Sequence, residues 1–209
     1  MERFEVDEEL FRPDPHYNIA PTQIVASIIE LQGKRLLTGF RWGLVPSWSK
    51  DPAIGNRMIN ARAETILDKP SFKPLLTKKR CLIPADGFYE WKTIAGGKQP
   101  FHIRRQDGGL FAFAGLWEEW KSPDGNPMQT CTIITVEPNE LMAPIHNRMP
   151  AILEREDEKV WLDAASNSKD VFALVSLLRP HSPEKFEAFP VSRAVNSPSS
   201  DSPSLIEQE

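Results

Sequence analysis

Between residues 24 and 136, short apolar or alternating runs are cut at close intervals by glycine-bearing turns. These are Gly33-Lys34, Asp86-Gly87, Gly96-Gly97, Asp107-Gly108-Gly109 and Asp124-Gly125-Asn126. Such punctuation leaves room for strands but not for long helices. The expected strands cover residues 24–31, 36–45, 81–92 (broken at Asp86-Gly87), 100–105, 110–117 and 130–136. Nineteen prolines in 209 residues push the same way, because proline removes a backbone donor and breaks helix interiors. Helical periodicity is confined to residues 156–163 and 168–178. The second has Val171, Phe172, Leu174, Val175 and Leu178 on one face and Pro180 beyond it. Residues 1–10 read as the end of an amphipathic helix stopped by Pro13 and Pro15, residues 189–195 as a last strand, and residues 196–209 as a loose Ser/Pro-rich tail. The pattern predicts a strand-rich α+β chain long enough for a proper core.

Several function classes drop out at this point. No apolar run approaches the length of a membrane span, and no charged–apolar–small leader opens the chain. Cys81 and Cys131 are too few and too far apart for a disulfide framework or a structural zinc site, and the histidines at 16, 102, 146 and 181 lack ligand spacing. A cytoplasmic protein without metal or cofactor is expected. Net charge is −4, but it is unevenly spread: residues 31–105 hold 15 Lys/Arg against 5 Asp/Glu, and the rest of the chain 10 against 24. A basic middle in an acidic protein is the footprint of phosphate binding on one face. Its densest part carries Lys69, Lys73, Lys78, Lys79 and Arg80 with no acid, and Trp42, Trp48 and Trp91 lie in the same region. Cations with aromatic platforms are how single-stranded nucleic acid is held; a solvated basic surface is the alternative.

Residues 58–64, Met-Ile-Asn-Ala-Arg-Ala-Glu, put Asn60, Arg62 and Glu64 at alternate positions. In a strand these share one face and the alanines take the other. That face is either a site wall or a surface strand with an internal Arg62–Glu64 ion pair. Glu90, set among aromatics in Phe88-Tyr89-Glu90-Trp91, is a candidate desolvated acid, or else a surface carboxylate paired with Lys92. The proline-bracketed loop Pro144-Ile145-His146-Asn147-Arg148-Met149-Pro150 carries a histidine beside an arginine, a candidate proton carrier near a phosphate. Cys131 reads as core. Cys81 follows three cations but leads an apolar run, which favours burial over reactivity.

The sequence resembles the SOS response-associated peptidase family, also called abasic site processing proteins. The resemblance rests on Tyr17-Asn18-Ile19-Ala20-Pro21, Arg41-Trp42-Gly43-Leu44-Val45-Pro46, Ile59-Asn60-Ala61-Arg62-Ala63-Glu64-Thr65 and Arg80-Cys81-Leu82-Ile83-Pro84-Ala85-Asp86-Gly87-Phe88-Tyr89-Glu90-Trp91. Ile145-His146-Asn147-Arg148-Met149-Pro150 and Val191-Ser192-Arg193-Ala194-Val195-Asn196 continue it. The resemblance implies one α+β domain over residues 1–195, with a mainly antiparallel, barrel-like β-sheet core and peripheral helices. It also implies a DNA-damage enzyme of the SOS response that binds abasic sites in single-stranded DNA as a monomer, nucleoid-associated when on DNA. In the family chemistry an N-terminal cysteine attacks the ring-opened sugar aldehyde. Its amine and thiol then close a thiazolidine, a covalent DNA–protein cross-link. Lyase chemistry through the Schiff base and self-cleavage of a leader (hydrolase, protease) are further implications. On this basis Asn60, Glu90 and His146 are the expected catalytic residues. Arg62, Arg148, Trp48, Trp42, Asn18 and Pro21 are the expected DNA-binding set.

One departure stands out. The family opens Met-Cys-Gly-Arg-Phe, whereas this chain opens Met1-Glu2-Arg3-Phe4. Aligned through Tyr17-Asn18-Ile19-Ala20-Pro21, its start matches the end of the family's first helix. The Cys-bearing strand is therefore expected to be missing, by a late start or a truncation. Aminopeptidase trims Met before small residues, and Glu2 is not small. Neither Cys81 nor Cys131 substitutes, because a thiazolidine needs amine and thiol on one residue. Two alternatives follow: a non-covalent binder of single-stranded or damaged DNA, and a peptidase acting on other proteins.

Overall fold

The computed structural model describes residues 2–163 and 170–209. In chain order its strands are β1 (Glu8–Glu9), β2 (Ile24–Leu31), β3 (Lys34–Trp42), β4 (Asn60–Arg62), β5 (Arg80–Ala85), β6 (Gly87–Ile94), β7 (Gly97–Arg105), β8 (Phe111–Lys121), β9 (Pro127–Val136), β10 (Met149–Pro150) and β11 (Phe186–Pro190). Its helices are α1 (Lys73–Lys78), α2 (Arg155–Leu162) and α3 (Val171–Ser176). Residues 168 and 169 of the second expected helix lie outside the described residues.

Five strands close into a barrel in the order β3-β2-β5-β8-β9, and β9 returns to β3. β2 and β3 form a hairpin whose two turn residues, Gln32 and Gly33, have φ of 54° and 74°, the mirror-image turn whose twist matches the flanking strands. β5–β8 and β8–β9 are also antiparallel. The closing pair is parallel: Arg41 and Trp42 sit opposite Thr130 and Cys131. The chain leaves that edge after Trp42, makes an excursion over residues 43–59, and returns as β4. It then pairs with the next stretch of β9, Asn60 opposite Ile133 and Arg62 opposite Thr135. Trp42 brackets the excursion by donating its indole N–H to the Ile59 carbonyl at 2.9 Å.

The barrel interior is apolar and closely filled. Cys81 lies opposite Gly115 in the β5–β8 register, and a Cβ on Gly115 would come within 2.8 Å of the Cys81 sulfur. Both cysteines are fully buried, and burial raises Cys81 well above its ordinary pKa and Cys131 to about 12. They are packing residues. Outside the barrel, α2 lies on β5 through the fully buried Trp161, whose indole N–H donates to the Cys81 carbonyl at 3.0 Å.

A second sheet, β11-β7-β6, follows without a loop, because only Asp86 separates β5 from β6. The tight crossing demands glycine at 87: a Cβ there would fall 2.1 Å from His102 Nε2 on β7. His102 is buried between Tyr89 and Phe189, and desolvation lowers its pKa to about 4. It packs as a neutral ring.

Three expectations are corrected. The first residues form a single 3-10 turn (Glu2–Phe4), reverse at Glu5 (φ 54°) and add β1 in parallel to β3. A barrel edge offering free backbone groups outcompetes a short helix, and Phe4 is buried completely, a gain of roughly 2–3 kcal/mol. The last strand ends at Pro190, since the Ser192 hydroxyl accepts from Ala194 N–H and starts a 3-10 turn, Arg193–Asn196. The end of the chain is not loose. Leu205 is buried, and Asp201 accepts from the backbone N–H groups of Tyr17 (2.6 Å) and Asn18 (3.2 Å) and pairs with His16 at 2.7 Å.

Candidate functional site

At Thr135, β9 is flanked by β4 on one side and β10 on the other. Two connections meet over it: the end of β4 runs into a 3-10 turn (Ala63–Thr65), and the loop before β10 carries His146 and Arg148. Arg148 stitches them together. Its Nη1 and Nη2 donate to the two carboxylate oxygens of Glu64 at 2.9 Å each, and Nη2 also donates to the Thr135 carbonyl at 2.6 Å. Glu64 is held below the ordinary carboxylate range, first by the Arg148 hydrogen bond and then by the charges of Arg148 and Arg62. The internal Arg62–Glu64 pair weighed from the sequence gives way to this longer bridge. Asn60 and Arg62 remain exposed on one face of β4, and Ala61 and Ala63 are buried.

The same loop sets His146 against the second sheet. His146 Nδ1 lies 3.7 Å from Glu90 Oε1, and the Arg148 backbone N–H approaches the same nitrogen at 3.2 Å. When Nδ1 accepts that N–H, the ring proton sits on Nε2. Glu90, on β6, is 23% exposed in its side chain. Burial raises its pKa, partly offset by the charge of His146 and by the Trp91 backbone N–H. A carboxyl that keeps its proton to higher pH beside an imidazole is a pair suited to proton exchange. No Glu90–Lys92 ion pair forms among the described residues.

The remaining expected positions divide. Trp48, in the excursion between β3 and β4, is 63% exposed, and Pro21 is exposed. Trp42 is half-buried by its bond to Ile59. Asn18 is buried, and its carboxamide NH₂ donates to the carbonyls of Val195, Ser197 and Ser200 at 3.0–3.1 Å. Its amino end is a clamp on the C-terminal segment. The dense basic run is not one face: Lys69, Lys73 and Lys78 are exposed, Lys79 pairs with the buried Glu118, and Arg80 is itself buried.

Residues 1–198 match the sequence pattern of the family described as SOS response associated peptidase (SRAP). The chain belongs to this family. It is 50% identical over 212 residues to the abasic site processing protein YoqW of Bacillus subtilis (strain 168), covering 99% of this chain and 93% of that one. It is 40% identical over 197 residues to the abasic site processing protein HMCES of Gallus gallus, covering 83% of this chain and 57% of that protein. A crystal structure of a protein from Bacteroides thetaiotaomicron superposes with a TM-score of 0.80 at 31% identity, over 90% of this chain and 82% of that one. The SRAP architecture is thus α+β around a barrel-like sheet, as expected.

Within this SRAP chain the residue most easily missed from sequence is Thr135, which contributes a backbone carbonyl and so leaves no side-chain signature. Glu64 was visible in the alternating heptad, but its partner 84 residues away was not. Among the described residues no helix is long and apolar enough to cross a membrane, and no cluster of three or more His, Cys, Asp or Glu side chains is placed to hold a metal.

Proposed function

We propose that this chain processes abasic sites in single-stranded DNA and that Glu90 and His146 move the protons. The observation that carries the reading is the 3.7 Å contact between His146 Nδ1 and a Glu90 carboxyl that burial pushes up. Family membership and the names of the relatives at 50% and 40% identity support the substrate. The exposed Asn60, Arg62 and Trp48 supply an orienting amide, a phosphate-binding cation and a stacking ring.

The chemistry is condensation of an aminothiol with the ring-opened sugar aldehyde. The amine adds to the aldehyde carbon, the hydroxyl of the adduct leaves as water, and the thiol adds to the imine carbon to close a thiazolidine. Aldehyde plus aminothiol gives ring plus one water, so no oxidant or reductant is needed. Protonated Glu90 donates to the departing hydroxyl, and its carboxylate then takes the thiol proton. His146 protonates the sugar ring oxygen as it opens. Asn60 orients the amine. Cys81 and Cys131 are excluded as the thiol by complete burial; the family resemblance implies an N-terminal cysteine as the aminothiol.

Strand recognition is testable on the chain as it stands. In an anisotropy titration, a single-stranded oligonucleotide with one abasic site is expected to bind more tightly than the intact strand or the duplex. Arg62→Ala should lower the salt slope by about one phosphate contact, roughly 0.7 in log–log units. Equal affinity for all three nucleic acids, or an unchanged slope, contradicts the reading.

A further inference from the structure

A DNA phosphate that is to use Arg148 finds its best edge taken. The Nη1–Nη2 edge, which matches two oxygens of a carboxylate or a phosphate, is filled by Glu64 at 2.9 Å on both sides. The other edge is closed, because Nε is buried without a hydrogen-bond partner. The Thr135 carbonyl fixes the guanidinium from behind at 2.6 Å. Glu64 is the more exposed member of the pair: its side chain is 46% exposed, against 19% for Arg148. The Glu64 carboxylate is close to half exposed, so an incoming phosphate can reach the edge of the guanidinium that it occupies.

We propose that Glu64 is a resident anion that occupies Arg148 in the free protein and is displaced by a strand phosphate, so that it sets the affinity and salt sensitivity of strand binding. The inference rests on the reading above, that a single strand lies along this wall. While Glu64 is in place the Arg148 charge is neutralised, and a strand meets Arg62 first. Displacing Glu64 frees a guanidinium that Thr135 has already oriented, at the cost of one exposed ion pair. Glu64 thus tunes strand affinity through Arg148 and takes no part in the chemistry.

The test is a thermodynamic cycle on binding of an intact single-stranded oligonucleotide across a salt series. It uses wild type, Glu64→Gln, Arg148→Met and the double variant, with Glu64→Asp keeping the charge while shortening its reach. Glu64→Gln is expected to bind about 5–10-fold more tightly at low salt, with a slope steeper by about one contact. In the Arg148→Met background the same substitution should gain at least threefold less, since only the through-space charge is then removed. Glu64→Asp should fall between wild type and Glu64→Gln. Weaker binding by Glu64→Gln would show that Glu64 positions Arg148 and would overturn the proposal. Equal gains in both backgrounds would also overturn it, by reducing Glu64 to a distant charge. Wild-type binding with none of these changes removes this inference alone; no binding by wild type removes the strand-binding reading and this inference together.

Discussion

Glu90→Gln is expected to slow cross-linking to an abasic strand by about 10²–10⁴-fold in a chain extended upstream to begin Met-Cys-Gly-Arg-Phe, with strand affinity unchanged. The amide keeps the size and polarity of the carboxyl facing His146 but carries no transferable proton. Its effect on stability follows from the direction of the pKa shift. Burial raises the carboxyl in the folded chain, so the folded state holds its proton to higher pH than the unfolded chain does. Stability therefore falls as pH rises from the ordinary glutamate range through the raised value. Glu90→Gln removes that cost and should be no less stable than wild type above it. Single-turnover rates over a pH series check both points. The wild-type profile should turn over above the ordinary glutamate range, and the variant should lose that limb. A variant within twofold of wild type across the series would take Glu90 out of proton transfer.

Arg80→Met is expected to be the most damaging change to the fold, at about 4 kcal/mol. Arg80 is only 3% exposed, and its guanidinium donates to three backbone carbonyls: Trp161, Leu76 (2.7 Å) and Asp163 (2.7 Å). These belong to the last turns of α1 and α2, where a cation also meets the negative end of the helix dipole. Methionine fills much of the volume but takes the guanidinium away from the buried Trp161 and Leu76 carbonyls, each loss worth roughly 1–3 kcal/mol. For a chain of this size the melting temperature should drop by about 8–16 °C. Arg80→Lys should recover part of the loss, because an ammonium cannot serve three divergent carbonyls. A loss under about 1 kcal/mol in a denaturant titration would show that water or a neighbouring donor replaces the guanidinium.

This residue also shows where reading the sequence stops. Arg80 closes the densest run of cations, and composition assigns such a run to a phosphate-binding surface. Only its carbonyl partners, up to 83 residues away, reveal a helix anchor. Local signals did well where the cause was local. The alternation and the Gly33, Gly96 and Gly125 turns located β2, β3 and β5 to β9, and the heptad around Asn60 put its alanines in the core. Parallel closure of β3 and β4 on β9 was not legible, because it depends on which edges remain free once the hairpins have formed. Long-range polar contacts failed for the same reason. Asn18, expected by resemblance in the DNA-binding set, has an amide that serves carbonyls 177–182 residues away. That clamp also orders a C-terminal segment whose composition predicts looseness. In the site itself, Glu90 and His146 could each be picked out by their neighbours, but their contact could not. It joins β6 to a loop 56 residues further on, across two sheets.

The most direct measurement is a denaturing gel of single-stranded DNA carrying one abasic site, incubated with this chain and with a version extended upstream to begin Met-Cys-Gly-Arg-Phe. A heat-stable, slower-migrating band is expected with the extended protein and none with the chain as it stands. Absence of the band with the extended protein would contradict covalent processing and leave a non-covalent DNA-binding module. The band appearing with both would contradict the need for an upstream cysteine.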